Sequence, residues 1–153
     1  MHDLDFSLNL ESQFCNGYPF IKVGLNHEVL YNDYVKDSLN LKFIRRLSNS
    51  THNLWIEYNN KTNENCTATC DQCVIIKDIS FENISLPRFI WAGKFYPVYP
   101  EPYASQQKEL GIKLDNVMYN IDYLGFNGKW NLQFTTPIFT WIHKLENLGW
   151  IFS

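Results

Sequence analysis

Alanine is nearly missing from this chain: 3 among 153 residues, against 17 asparagines. Ala is the strongest helix former, so its scarcity argues against a protein built from extended helices. Long apolar runs are also missing, and nothing approaches the ~20 residues that a membrane-spanning helix needs. The 13 Lys and Arg are scattered, Arg45-Arg46 is the only adjacent basic pair, and the net charge is −3. That distribution offers no phosphate-tracking stripe and argues against a nucleic-acid partner. Catalytic signatures are absent too: there is no G-x-S-x-G, no H-E-x-x-H and no glycine-rich phosphate loop. The histidines, His2, His27, His52 and His143, lie far apart with no metal spacing among them. The expectation is a non-enzymatic protein without a cofactor. The acidic start, Met1-His2-Asp3-Leu4-Asp5, runs straight into an alternating segment and reads as no cleavable signal peptide.

What is present reads as β-structure. A hydrophobic fraction of 45% with 16% aromatics excludes disorder, and 153 residues fit one domain, 1–153, with a single core. Leu54, Ile56 and Tyr58 alternate with Asn53, Trp55 and Glu57, the period of two that a half-buried strand requires. The same pattern recurs at Phe6, Leu8 and Leu10, at Leu39, Leu41 and Phe43, and at Trp130, Leu132 and Phe134. Further strands are expected over residues 20–25, 29–35, 74–81 and 137–143. A turn at Asn147-Leu148-Gly149 should lead into the apolar end Trp150-Ile151-Phe152. The apolar phase flips across Glu82-Asn83, which marks a bulge or a tight turn. The many asparagines suit turns, because Asn tolerates a positive φ and bonds its own backbone. Together these signals predict an all-β fold, a single antiparallel β-sandwich of jelly-roll-like form.

Residues 87–114 differ from the rest. Pro97, Pro100 and Pro102 sit among Trp91, Tyr96, Tyr99 and Tyr103. Prolines cannot serve a central strand, so a long ordered loop is expected, with a short helical turn over 105–110 ended by Gly111. Trp91, Tyr96, Tyr99 and Tyr103 are the candidate contact residues for a partner or a sugar, since Tyr and Trp supply rigid amphipathic area. The alternative is that they close one open face of the sandwich.

Cys66, Cys70 and Cys73 form a C-x3-C-x2-C spacing. It matches radical S-adenosylmethionine enzymes formally, but Gln72 stands where those carry an aromatic residue. Zinc would need a fourth ligand from Cys15, His52 or Asp71. The preferred expectation is no metal, with the cysteines either free and half-buried or joined in one disulfide. A reducing cytosol disfavours a disulfide framework. Were a metal held, its candidate ligands would be Asn60, Asp71, Cys66, Cys70 and Cys73. Asn-x-Ser/Thr sequons at Asn49, Asn60, Asn65 and Asn83 arise by chance in so Asn-rich a chain.

Two stretches carry a resemblance. The run HNLWIEYNNKT, then CVIIKDISFENISL, then YLGFNGKWNLQFTTPIFTWIHKLENL, resembles small accessory proteins of tailed bacteriophages, notably those infecting marine cyanobacteria. Its most specific element is G-x-N-G-x-W-x-x-x-F at residues 125–134, followed by a Pro and an aromatic segment. The codon bias behind abundant Asn, Ile, Lys, Phe and Tyr fits an AT-rich genome of that kind. The resemblance implies a structural or accessory component of a virion, docking onto other virion proteins in multiple copies. The residue 53–86 region is also similar to calcium-dependent xylan-binding modules, in which an Asn- and Asp-bearing loop holds calcium beside a sugar. Here Asn59, Asn60 and Asp71 stand in that loop and Gln72 replaces an Arg. That similarity implies the alternative function, a carbohydrate-binding module recognising a host surface glycan.

Overall fold

The computed structural model describes residues 2–147; of the expected turn at 147–149 only Asn147 is described, and the apolar end at 150–152 lies outside the described residues. Two antiparallel sheets face each other. The first has strand order β10-β6-β1-β4, from Tyr123–Leu124, Cys73–Phe81, His2–Gln13 and Ser38–Leu47, and the short β7 (Ile84–Ser85) adds to β6. The second has order β3-β2-β5-β11-β8-β9, from Glu28–Tyr34, Phe20–Leu25, Thr51–Tyr58, Asn127–Thr135, Lys94–Val98 and Met118–Tyr119. The four alternating segments read from the sequence are all strands, two in each sheet.

Alternation builds the core. Leu4, Phe6, Leu8 and Leu10 of β1 face Leu54, Ile56 and Tyr58 of β5 and Trp130, Leu132 and Phe134 of β11 from the opposite layer, all buried in one cluster. On β6 the buried set steps from Val74 and Ile76 to Ile79 and Phe81, so the period breaks by one residue. The β1–β6 register shifts at that place, between Asn9 and Leu10, which accommodates the extra residue as a bulge. The phase change expected at Glu82-Asn83 is a tight turn: both residues have positive φ (52° and 62°), and Phe81 pairs with Ile84 across it.

Two expectations need correction. Residues 137–143 are not a strand: Ile138–Asn147 is a helix, α3. Ile138, Trp141, Ile142 and Leu145 recur at helical spacing, and Ile138 and Ile142 are buried on the core. Pro137 immediately precedes the helix, where its missing N–H leaves no intrahelical bond unmade. The segment 87–114 is also more regular than a loop, holding α1 (Pro87–Trp91), β8 and α2 (Tyr103–Glu109). β8 lies inside the sheet at Lys94 and Phe95, which pair with both β11 and β9. Pro97 is tolerated because β9 stops short of it. Gly111 (φ 72°) follows α2, as expected of a helix-ending glycine.

The sandwich has two unlike ends. At one, Phe81, Phe89, Phe134 and Trp141 pack ring to ring at 5.0–6.1 Å, roofed by α1 and α3. At the other lie the exit of β5, the entry of β6, β10 and α2. β1 begins at the aromatic end and finishes beside Cys73 at the other.

Candidate functional site

The second end holds a cleft of about 840 Å³. Its floor is the polar loop that follows β5. That loop is fastened at each step. The Asn60 side chain accepts from Phe20 N (2.8 Å) and donates to the Tyr18 carbonyl (3.1 Å), which ties the loop to β2. Lys61 N donates to Asn127 Oδ1 and Asn127 Nδ2 donates back to the Lys61 carbonyl, each at 2.9 Å. Buried Asn65 donates to the Cys15 carbonyl at 2.8 Å. The hairpin turn that carries Asp71 is bolted to the end of β1 by a Cys15–Cys70 disulfide. Beneath it Tyr58 OH donates to Gln72 Oε1 at 2.6 Å, fully buried.

Asp71 is the hub of the floor. Lys61 Nζ donates to its Oδ1 at 2.5 Å and to the Gly125 carbonyl at 2.6 Å, and Tyr123 OH donates to its Oδ2 at 2.5 Å. Burial pushes the Asp71 carboxyl up, but the bonds from Lys61 and Tyr123 outweigh it and hold the group below its ordinary value. Tyr123 moves the other way: burial, then its bond to Asp71, raises the phenol. Burial and the neighbouring Asp71 also raise the Cys66 thiol, so the sulfur is protonated at neutral pH.

The walls are apolar. Tyr103 of α2 and Phe126 face the cleft together with Pro100, Pro102, Met118 and Ile121. Tyr99 backs this wall, its ring edge-on to Phe126 at 4.9 Å and its OH donating to the Asp115 carbonyl at 2.6 Å. Amides and hydroxyls at the rim, among them Asn63, Asn120, Gln106 and Thr62, complete an amphipathic lining. Flat rings beside convergent donors and acceptors are what a polar ligand with an apolar face requires.

The residues singled out from the sequence scatter. Tyr103 lines the cleft and Tyr99 supports it. Tyr96 is exposed on the outer face of β8 opposite Lys129, and Trp91 ends α1 beside a shallow depression shared with Ile76 and Pro87. Neither reaches the cleft. Asn60 spends its side chain on the backbone and is not free as a ligand. Of the clustered cysteines, Cys66 is exposed in the cleft, Cys70 is in the disulfide and Cys73 is buried, so the C-x3-C-x2-C spacing does not converge on one point. The one disulfide that the sequence reading allowed is present, made by Cys70 with the distant Cys15 rather than within the cluster. Lys61, Tyr123 and Phe126 were not foreseen: Lys61 stands ten residues before Asp71 in the same β5–β6 connection and meets it only as that loop folds back, while the pairing of β10 with β6 brings Tyr123, and Phe126 just beyond it, alongside.

The architecture is a β-sandwich of two antiparallel sheets. It is similar to the solved structure of "vCBM60 in complex with galactobiose", with a TM-score of 0.51 at 9% identity, over 84% of this chain and 96% of that one. At that identity the likeness is one of fold. No family model matches the sequence, and no curated protein matches it.

Proposed function

We propose that this protein binds carbohydrate, and that the cleft between the Asp71 loop, α2 and β10 is where it does so. One observation carries the reading: Tyr103 and Phe126 form a ring-lined wall above a floor of fixed hydrogen-bonding groups centred on Asp71 and Tyr123. A sugar presents C–H faces to such rings and hydroxyls to such a floor. The fold, shared with a module solved with a disaccharide, supports it. We read the role as binding without turnover. Both oxygens of Asp71 are engaged, which leaves that carboxylate unsuited to general-base work. The carbohydrate reading now stands ahead of a purely structural virion role, which rests on the sequence resemblance alone. The two are compatible if the module is carried on a particle to hold host surface sugar. Mass spectrometry of purified particles tests that placement.

The site is tested by glycan-array screening of the intact protein, followed by calorimetry on Tyr103→Ala and Phe126→Ala. Each is expected to weaken binding by roughly tenfold or more. Tyr96→Ala and Trp91→Ala should leave it unchanged, because those rings lie elsewhere. Equal losses from all four variants would remove the cleft as the site.

A further inference from the structure

The similarity to calcium-dependent sugar-binding modules implies a cation, and the residues here do not fit one. Calcium takes about 6–8 oxygen ligands, with carboxylates prominent among them. Among the described residues, only two carboxylates, Asp71 and Asp122, line the cleft. Each oxygen of Asp71 is already bonded, one to Lys61 Nζ and the other to Tyr123 OH, both at 2.5 Å. The carbonyl of Gly125 is taken as well, by the same ammonium at 2.6 Å. Among the described residues, no group of three or more His, Cys, Asp or Glu gathers where it could hold a metal ion.

The ammonium therefore occupies the place between an Asp71 carboxylate oxygen and the Gly125 carbonyl. The Lys61 side chain is 11% exposed, so this is a largely enclosed charge held by a carboxylate and a carbonyl, not a surface pair. Through Asp71 it also fixes the hydroxyl of Tyr123, whose ring lines the cleft. With Lys61 against Asp71 and Asp122, the charged groups of the lining leave a net charge of −1 (one cation, two anions). Such a cavity repels a ligand carboxylate and suits hydroxyls. Its volume falls within the range of clefts that bury ligands of several hundred daltons, room for more than one sugar ring.

We propose that Lys61 is a built-in cation, and that the cleft takes neutral oligosaccharides without any metal ion. This rests on the carbohydrate reading above. Lys61 is a positioning residue: it organises Asp71, Tyr123 and the Gly125 backbone ahead of the ligand.

The test is calorimetry on the intact chain, in EDTA and in added calcium. The probes are neutral oligosaccharides (galactobiose and xylo-oligosaccharides) and oligogalacturonates. Neutral ligands are expected to bind with affinities that agree within about twofold between the two buffers. Oligogalacturonates should bind roughly tenfold more weakly or not at all. The melting temperature of the ligand-free chain should not respond to calcium. Binding that appears only with calcium, or a calcium-dependent rise in melting temperature, overturns the built-in cation and leaves the carbohydrate reading intact. Preference for oligogalacturonates overturns the neutral class alone. If no sugar binds in either buffer, the carbohydrate reading fails and takes this proposal with it. Lys61→Met should weaken neutral-sugar binding about tenfold with the circular dichroism of the β-sandwich retained, and Lys61→Arg should recover part of it. Wild-type affinity in Lys61→Met would end the role given to Lys61. If Lys61→Met fails to fold, the calcium and EDTA arms on the unaltered chain still decide.

Discussion

Tyr58, bonded to Gln72, and its neighbour Asp71 sit at the same end of the molecule and respond to pH in opposite senses. Tyr58 is fully buried, and burial raises its phenol above the ordinary value near ~10. A group whose folded value is raised lends stability that is fully present below the unfolded value and is lost as pH climbs toward the folded one. Thermal stability should therefore decline above about pH 10, and Tyr58→Phe should flatten that decline. The same variant should lose about 1–2 kcal/mol at neutral pH, because Gln72 Oε1 then has no donor. A decline of equal steepness in Tyr58→Phe would remove Tyr58 as its source. Asp71, held below its ordinary value, works in reverse. Its contribution is present above the unfolded value and disappears as pH falls through the folded one. Comparing melting temperatures of the wild type and Asp71→Asn should show a gap at neutral pH that closes in acid. A gap that does not vary with pH would mean that Asp71 acts through packing, not charge.

Elements were legible to the extent that one period governed them. The alternation in β1, β4, β5 and β11 survives because each buries one face along its length. The bulge in β6 was missed because one inserted residue shifts an otherwise regular period of two, and the helix α3 because a run such as Ile138-Phe139-Thr140-Trp141-Ile142 suits a strand locally while its buried members follow a period near 3.6. β-branched and aromatic residues bias such a run toward the strand reading, and only the docking of Trp141 against Phe81 and Phe89 decides it. Ile142→Ala should then destabilise by about 2–4 kcal/mol, read by denaturant unfolding. A change within error would mean that α3 is not docked as described. The junction between α1 and β8 makes a second demand. Gly93 is buried, and a Cβ there would lie 2.3 Å from the Trp130 ring. Gly93→Ala should lose about 1–3 kcal/mol as the indole is displaced from the core. Near-wild-type stability would mean that the ring yields without loss.

For the molecule as a whole, the cleft was the least readable part. Asp71 and Tyr103 were visible as candidates, but Tyr123 and Phe126 join them only through long-range pairing, and nothing local in a sequence reports which strand lies beside which; Lys61 is ten residues from Asp71, and only the fold of their shared loop shows that the two meet. The disulfide shows the same limit, since the partner of Cys70 is 55 residues away. Closing a loop of that length restricts the unfolded chain, and Cys15→Ser should lower stability by about 3–4 kcal/mol. Because the bond anchors the Asp71 loop, a reductant should also weaken sugar binding in the wild type and leave Cys15→Ser unaffected. Loss of binding in both on reduction would point to Cys66 or to another target.

The unlike ends of the sandwich also settle how the protein meets large objects. β1 starts at the aromatic end, and α3 packs against it, so both ends of the described chain lie a strand's length from the cleft. The nine residues of β6 run between the two ends, roughly 27–30 Å. A tag or sensor chip joined ahead of β1 enters the fold at the aromatic end, away from the cleft. Immobilisation through an N-terminal tag is therefore expected to give the same binding curve as the free protein in solution.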